Sequence, residues 1–246
     1  MQGKVVLITG GARRVGAAIC RRLHERGAEL MIHYRASAGD ARALQEELNQ
    51  KRADSVSLIQ ADLLNISMLP SLVSETVNRF GRLDVLINNA SSFFPTNLGE
   101  IDEKAWEDLV GTNLKAPLFL SQAAAPQIRK NRGSIINIVD IHADKPLKNY
   151  LVYSTAKGGL VALTKSLARE IGPEARANAV APGAILWPED DVWADALSRQ
   201  RIINQTLLKR VGEPDDIARA VAFLAADAPY VTGQVIAVDG GRSVSL

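Results

Sequence analysis

Lys4-Val5-Val6-Leu7-Ile8-Thr9-Gly10-Gly11-Ala12-Arg13-Arg14-Val15-Gly16 is the stretch that sets the architecture. Val5 to Thr9 is a short apolar run rich in β-branched residues, as expected of a strand covered on both faces. Glycines then crowd a turn, and Val15, Ala18, Ile19 and Leu23 follow at helical spacing. Strand, glycine-rich turn and helix in this order aim helix N-terminal amides at a pyrophosphate. The plainer alternative is a strand-to-helix turn that uses glycine for positive φ. A Walker-type phosphate loop is excluded, because no Gly-Lys-Ser/Thr closes the turn. The spacing also departs from G-x-G-x-x-G, so the glycines carry only part of the argument.

Outward from this stretch, strand and helix patterns alternate without a break in composition. Strands are expected at Val5–Thr9, Leu30–Tyr34, Val56–Gln60, Val85–Asn88, Ser134–Val139, Ala177–Val180 and Val235–Val238. Helices are expected at Val15–Arg26, Asp40–Gln50, Met68–Phe80, Asn113–Lys130, Val152–Ile171 and Asp215–Ala226. Repeated βα units imply right-handed crossovers and an α/β fold with one open, doubly wound parallel sheet of about seven strands. Ligands of such sheets bind outside the carboxyl ends of the strands. Thr9–Gly16, Tyr34–Ser37, Asp62, Asn89–Phe94, Asp140 and Pro182–Trp187 all fall just past an expected strand. They therefore converge on one edge of a single domain spanning residues 1–246.

Composition narrows the class. The 246 residues are 47% hydrophobic with a formal net charge of +2, enough apolar material for a sizeable core and no basic excess for nucleic acid or a membrane surface. The single cysteine, Cys20, cannot form an internal disulfide and is expected to pack. Met1 followed directly by Gln2-Gly3-Lys4 and a strand leaves no room for a signal peptide, and no apolar run reaches the ~20 residues that span a bilayer. A cytoplasmic protein is expected. His24, His33 and His142 are too scattered for a metal site.

Tyr153-Ser154-Thr155-Ala156-Lys157, with Asp140 upstream, carries the chemistry. Tyr and Lys at i and i+4 share a helix face, so an ammonium can stand beside a phenol. The cation is expected to bring the phenol down from its usual pKa of about 10 and let it act as a proton donor. Alone the pair is a weak signal, because most such pairs are helix surface.

Thr9-Gly10 with Gly16, Asp62-Leu63, Asn88-Asn89-Ala90, Asn113, Tyr153 with Lys157, Pro182-Gly183, Thr232-Gly233 and Val238-Asp239-Gly240-Gly241 together resemble the short-chain dehydrogenase/reductase family over essentially the whole chain. The resemblance implies a Rossmann-type fold and a nicotinamide cofactor. Gly10, Arg13, Arg14, Val15 and Gly16 would shape the cofactor turn, with Asp62 and Leu63 near the adenine. Asn89, Ala90 and Ser91 would lie under the cofactor's centre, and Pro182, Gly183 and Ile185 beyond it. Tyr153 would donate the proton, Lys157 would hold the nicotinamide ribose and tune the tyrosine, and Asn113 would order a relay water. Family members are commonly homotetramers, built through the helices after the fourth and fifth strands and the C-terminal strand.

Two positions depart from the general family pattern: Arg14 stands where glycine is usual, and Asp140 where serine is usual. With Asn89-Ala90-Ser91-Ser92-Phe93-Phe94-Pro95-Thr96 they resemble the pteridine reductase branch. That resemblance implies a dihydropteridine substrate, extending to dihydrofolate as a further candidate. Phe93 would stack the pterin, Arg14 and Ser91 would contact it, and Asp140 would share a proton network with Tyr153. An aromatic wall suits a planar ring, and an arginine suits phosphate and ring acceptors. The bland counterparts are lid packing, a generic phosphate contact and a strand-end cap. Ile185–Leu207, with Leu186 and Trp187 through Asp191 and Trp193, is expected to cover the substrate. After the second strand, Tyr34-Arg35-Ala36-Ser37 has no acid before Asp40, so Arg35 and Ser37 favour NADPH over NADH. The competing readings are a carbonyl reductase, such as a 3-oxoacyl-carrier-protein reductase, and a non-catalytic nucleotide sensor.

Overall fold

Val5, Val6, Leu7 and Ile8 expose no surface at all. Successive strand side chains point to opposite faces, so this first strand needs cover on both sides. The computed structural model of the chain, which describes residues 1–187 and 195–245, supplies it. Its elements run β1 (Val5–Ile8), α1 (Arg14–Glu25), β2 (Glu29–Tyr34), α2 (Ala38–Lys51), β3 (Val56–Gln60), α3 (Leu69–Phe80), β4 (Val85–Asn88), α4 (Glu103–Val110), α5 (Ala116–Lys130), β5 (Ser134–Ile138), α6 (Leu151–Ile171), β6 (Arg176–Pro182), α7 (Ala196–Gln205), α8 (Pro214–Ala222), β7 (Val235–Val238) and α9 (Arg242–Ser245).

The strands form one parallel sheet in the order β3-β2-β1-β4-β5-β6-β7, the expected doubly wound α/β architecture. Alternation along β1 divides the core. Val6 and Ile8 pack with Ile19 and Leu23 of α1, Leu44 and Leu48 of α2, and Ile217 and Val221 of α8. Leu7 faces the other way, toward Leu69 and Leu72 of α3, Leu120 and Ile128 of α5, and Ile171 of α6. Cys20 lies within the first cluster, and burial pushes its thiol pKa up, so it packs and does not react. No described helix is long and apolar enough to cross a membrane.

The seven expected strands are all present, three with the expected bounds and four with ends shifted by one or two residues. Three helices were not expected. Helix α4 is only eight residues long, so its stripe of Ala105, Trp106, Leu109 and Val110 spans barely two turns, and α7 buries only Ile202 and has no clear apolar stripe. In the third, α9, four residues are too few for any period. The helix expected at Asn113–Lys130 is also joined to α4 through one π-helical turn, Gly111–Lys115. Asn113 thus lies inside a helical bulge and not at a helix start. Pro188–Asp191 and Trp193, expected to cover the substrate, lie outside the described residues.

The lower ends of three strands meet at Asp84, whose side chain is almost fully buried. Its carboxylate accepts from Lys4 Nζ at 3.0 Å, Val5 N at 3.0 Å and Arg82 at 2.6 and 2.7 Å. Its backbone carbonyl accepts from Ser134 N at 2.9 Å, drawing β5 into the same knot. Burial would raise the Asp84 pKa, but Arg82, the Val5 amide and Lys4 outweigh it and hold the carboxyl below its ordinary range. Lys4 and Arg82 are half exposed and can turn to water, so Asp84→Ala should cost about 3 kcal/mol, near the low end for breaking a buried pair. Urea unfolding measures this; an unchanged midpoint would remove Asp84 from the fold's anchorage.

Candidate active site

Where β1 and β4 diverge in their connections, the chain after β1 passes very close to the chain after β4. Gly10 has φ +61°, and a Cβ there would lie 2.9 Å from Ala90 Cα. A Cβ on Gly16 would strike the Gly10 carbonyl oxygen. Glycine is required at both places, by conformation at the first and by contact at the second. Thr9 Oγ1 accepts from the amides of Asn89 and Ala90, both at 3.0 Å. Asn89 Nδ2 donates back to the Thr9 and Gly10 carbonyls, both at 2.9 Å. Beneath the turn, Gly10 N donates to His33 Nδ1 at 3.2 Å, and His33 Nε2 lies 3.1 Å from the Ala61 carbonyl. One nitrogen accepts and the other donates, which fixes a neutral imidazole. Burial pushes its pKa down to about 4.

Arg14 begins α1 with φ +52°, a left-handed backbone that costs a non-glycine residue about 1–2 kcal/mol. Its guanidinium donates to the carbonyls of Trp187 at 3.0 Å and Leu186 at 3.4 Å. The strained residue therefore links the cofactor turn to the segment after β6. That segment is also held from α7, where Arg199 lies over the Trp187 ring at 5.3 Å.

Asp140, just past β5, does two jobs. Oδ1 accepts from His142 N at 2.8 Å, the strand-end cap, and Oδ2 accepts from Tyr153 Oη, also at 2.8 Å. Lys157 is buried, with Nζ donating to the Ile138 carbonyl at 3.0 Å and standing 5.7 Å from the Tyr153 ring centroid. Burial lowers the lysine pKa to about 8, against the pull of Asp140. The tyrosine behaves opposite to expectation. Burial, then the charge and hydrogen bond of Asp140, raise its pKa well above 10, with Ser91 opposing. Here the nearest charge to the phenol is an anion, and the ammonium lies behind the ring.

Phe93 lies flat against Tyr150 (centroids 4.5 Å apart, planes at 16°) and edge-on to Tyr153 at 4.8 Å. A planar ligand stacking on Phe93 would use the face opposite Tyr150. Asn113 is not at the cavity surface. Its Nδ2 donates to the carbonyls of Ser92 and Leu109 at 2.9 Å, and its Oδ1 accepts from Ser91 Oγ at 2.7 Å. It braces the loop carrying Ser91 to Phe93, and its side chain is already engaged where a relay water was expected.

Every other expected site residue lines one cavity of about 540 Å³. Gly10, Arg13 through Gly16, Tyr34, Arg35, Ser37, Asp62 and Leu63 occupy one part. Asn89–Ser91, Phe93, Asp140, Tyr153, Lys157, Pro182, Gly183, Ile185, Leu186 and Trp187 occupy the rest. Sequence reasoning missed His33, Thr112, Leu147 and Arg242, which also line it, as does Ile202 from the segment expected to cover the substrate. Arg242 lies four residues past the end of β7, within reach of the strand-end rule that located the others. The described residues include no group of His, Cys, Asp and Glu able to hold a metal.

His33 makes the turn sensitive to acid. Its folded pKa lies below its ordinary value of 6.5, so its stability contribution is full above about pH 6.5 and is lost as pH falls toward 4. Integrated over that window the loss is about 3 kcal/mol. In His33→Gln, which can still donate and accept but cannot titrate, unfolding free energy should fall less between pH 7 and about pH 4.5. Equal losses in both proteins would show that His33 protonation does not act on the turn.

Comparison with known proteins extends over the same whole length. A family model described as enoyl-(acyl carrier protein) reductase matches residues 10–243. The 3-oxoacyl-[acyl-carrier-protein] reductase of Staphylococcus aureus is 39% identical over 241 residues, covering 97% of each chain. Its Staphylococcus epidermidis counterpart is 38% identical over 241 residues, with 97% and 98% covered. Pteridine reductase 1 of Leishmania tarentolae is 35% identical over 281 aligned positions, with 98% of this chain and 96% of the relative covered. Sheet order, strand-end site and full-length similarity agree: the chain belongs to the short-chain dehydrogenase/reductase family and is an oxidoreductase.

Proposed function

We propose that the protein is an NADPH-dependent reductase of a ring C=N in dihydropteridines, giving the tetrahydro form. The observation that carries this reading is the 2.8 Å hydrogen bond from Tyr153 Oη to Asp140 Oδ2. An ionised carboxylate only accepts hydrogen bonds. Set beside a ketone it would oppose the oxyanion that develops there, whereas a serine hydroxyl would stabilise it. A pterin ring instead presents N–H donors next to the reacting C=N, and a carboxylate is their natural partner.

Reduction of C=N needs a hydride at carbon and a proton at nitrogen. Bound NADPH supplies the hydride. Tyr153 supplies the proton from Oη, and its raised pKa keeps the phenol protonated at neutral pH. Once the proton has left, Asp140 and Lys157 are the adjacent groups through which the site is reprotonated. Phe93 fixes the plane of the ring, and Arg14 and Ser91 border it. The cofactor fits the turn: Gly10 and Gly16 leave a groove that side chains would fill. Arg35 is exposed after β2, and Ser37 makes no side-chain capping bond to α2, which supports a role for both in taking a phosphate on the adenosine ribose. Asp40, the first acid after β2, lies 3.7 Å from Arg13 Nε.

The second reading, a 3-oxoacyl-[acyl-carrier-protein] reductase, has its own support. The staphylococcal relatives of that name are more similar to this chain than the pteridine reductase is, at 39% against 35% identity. Overall identity leans to this reading, whereas the proton-bearing pair leans to the first.

Turnover of NADPH with dihydrobiopterin, dihydromonapterin, dihydrofolate and an acetoacetyl thioester separates them. Dihydropteridine reduction is expected, with Tyr153→Phe losing ~100- to 10,000-fold and Asp140→Ser losing most of it. Rapid thioester reduction with inert pterins would install the second reading. For the cofactor, Arg35→Ala should weaken NADPH by ~10- to 100-fold, the value of a charge-assisted contact, and leave NADH nearly unchanged. Equal losses for both dinucleotides in a binding titration would refute phosphate recognition by Arg35.

A further inference from the structure

Among the described residues, Arg242 is a buried cation without a hydrogen-bonded or ion-pair partner. It is 8% exposed, its Nε is buried and unbonded, and among the described residues its side chain makes no hydrogen bond or ion pair. It nevertheless lines the active-site cavity. Its position follows from the chain path. β7 pairs with β6 up to Pro182–Val238, and Gly240 and Gly241, at φ +62° and +81°, then fold the chain back.

The two acids that feel its charge are both engaged elsewhere. Asp239 accepts from the amides of Gly241 at 2.9 Å and Ser243 at 2.7 Å, and Asp140 accepts from His142 N and Tyr153 Oη. Burial disfavours the guanidinium and these carboxylates only partly offset that. Its Nε–H, left buried and unbonded, is costly, and the guanidinium lines the cavity, where a ligand would bring an acceptor.

Which part of the ligand meets Arg242 follows from topology. The glycine turn lies at β1 and β4, Asp140 at the end of β5, and Arg242 beyond β7, two strands and so about 10 Å further along the edge. The reacting ring at Asp140 and Tyr153 stands between the cofactor and Arg242. We propose that Arg242 is a specificity residue that binds an oxygen acceptor, hydroxyl or carboxylate, on the substituent of the substrate ring. This rests on the dihydropteridine reading above.

The test compares wild type, Arg242→Met and Arg242→Lys with three dihydropterins: one bearing only a methyl substituent, dihydrobiopterin with its hydroxyls, and dihydrofolate with its carboxylates. In Arg242→Met, kcat/KM should fall ~10- to 100-fold for dihydrobiopterin, dihydrofolate or both, mainly through KM, and stay within about twofold for the methyl compound. Whichever of the two responds identifies the acceptor, and Arg242→Lys should recover part of the loss. Thermal unfolding of Arg242→Met should be unchanged or shifted upward, since an unbonded charge has been removed; a lower midpoint would mark the arginine as structural and overturn the proposal. Equal losses on all three substrates, or none, would also overturn it while leaving the dihydropteridine reading intact. Failure of wild type to reduce any of the three would end both.

Discussion

The close backbone approach between the turn after β1 and the segment after β4 governs everything built around it. Gly10 faces Ala90, Gly16 faces the Gly10 carbonyl, and no side chain fits between. Thr9 and Asn89 tie the two segments with four reciprocal hydrogen bonds. Because β1 and β4 are neighbours whose connections leave in opposite directions, this contact is also the floor of the cleft. The same atoms thus hold the centre of the sheet together and shape the ligand groove. Conformational freedom here would cost both at once.

A second constraint is electrostatic. Lys157 is buried with one backbone carbonyl as partner, and Tyr153 and Asp140 share one proton 2.8 Å apart. Burial lowers the lysine pKa, and burial together with Asp140 raises that of the tyrosine. The result is a phenol that keeps its proton until a stronger base arrives. A ring nitrogen receiving a hydride at its neighbouring carbon is such a base. This is a different device from a phenol activated by a cation.

The sheet was legible in the sequence because its strands are short, continuous apolar runs, the pattern a doubly covered parallel sheet requires. Most site residues were legible because they immediately follow those runs. What escaped did so for identifiable reasons. Helix α4 is only eight residues long and α7 buries a single residue, so neither offers a long enough period to read. The tyrosine shift reversed because spacing along a helix places Lys157 near the ring but says nothing of which group reaches the hydroxyl. Asn113 had its side chain engaged by Leu109 one turn back and by Ser91 and Ser92, the last two across a long sequence separation. His33 was weighed only as a metal ligand, since its role depends on Gly10 and Ala61 meeting it from two other segments.

The π turn at Gly111–Lys115 has a consequence for length. A π turn arises from one inserted residue, and each residue of an α-helix advances the face by about 100°. Upstream, Leu109 packs with Tyr150, Val152 and Tyr153; downstream, Leu120, Ala124 and Ile128 face the sheet. Those two faces are brought into register by the extra residue. Deleting any one residue between 111 and 115 would restore a regular ladder and rotate one of the faces out of its cluster. Insertions and deletions are therefore as restricted in this turn as substitutions are at Gly16: along this helix the protein conserves a count, whatever the side chains that make it up.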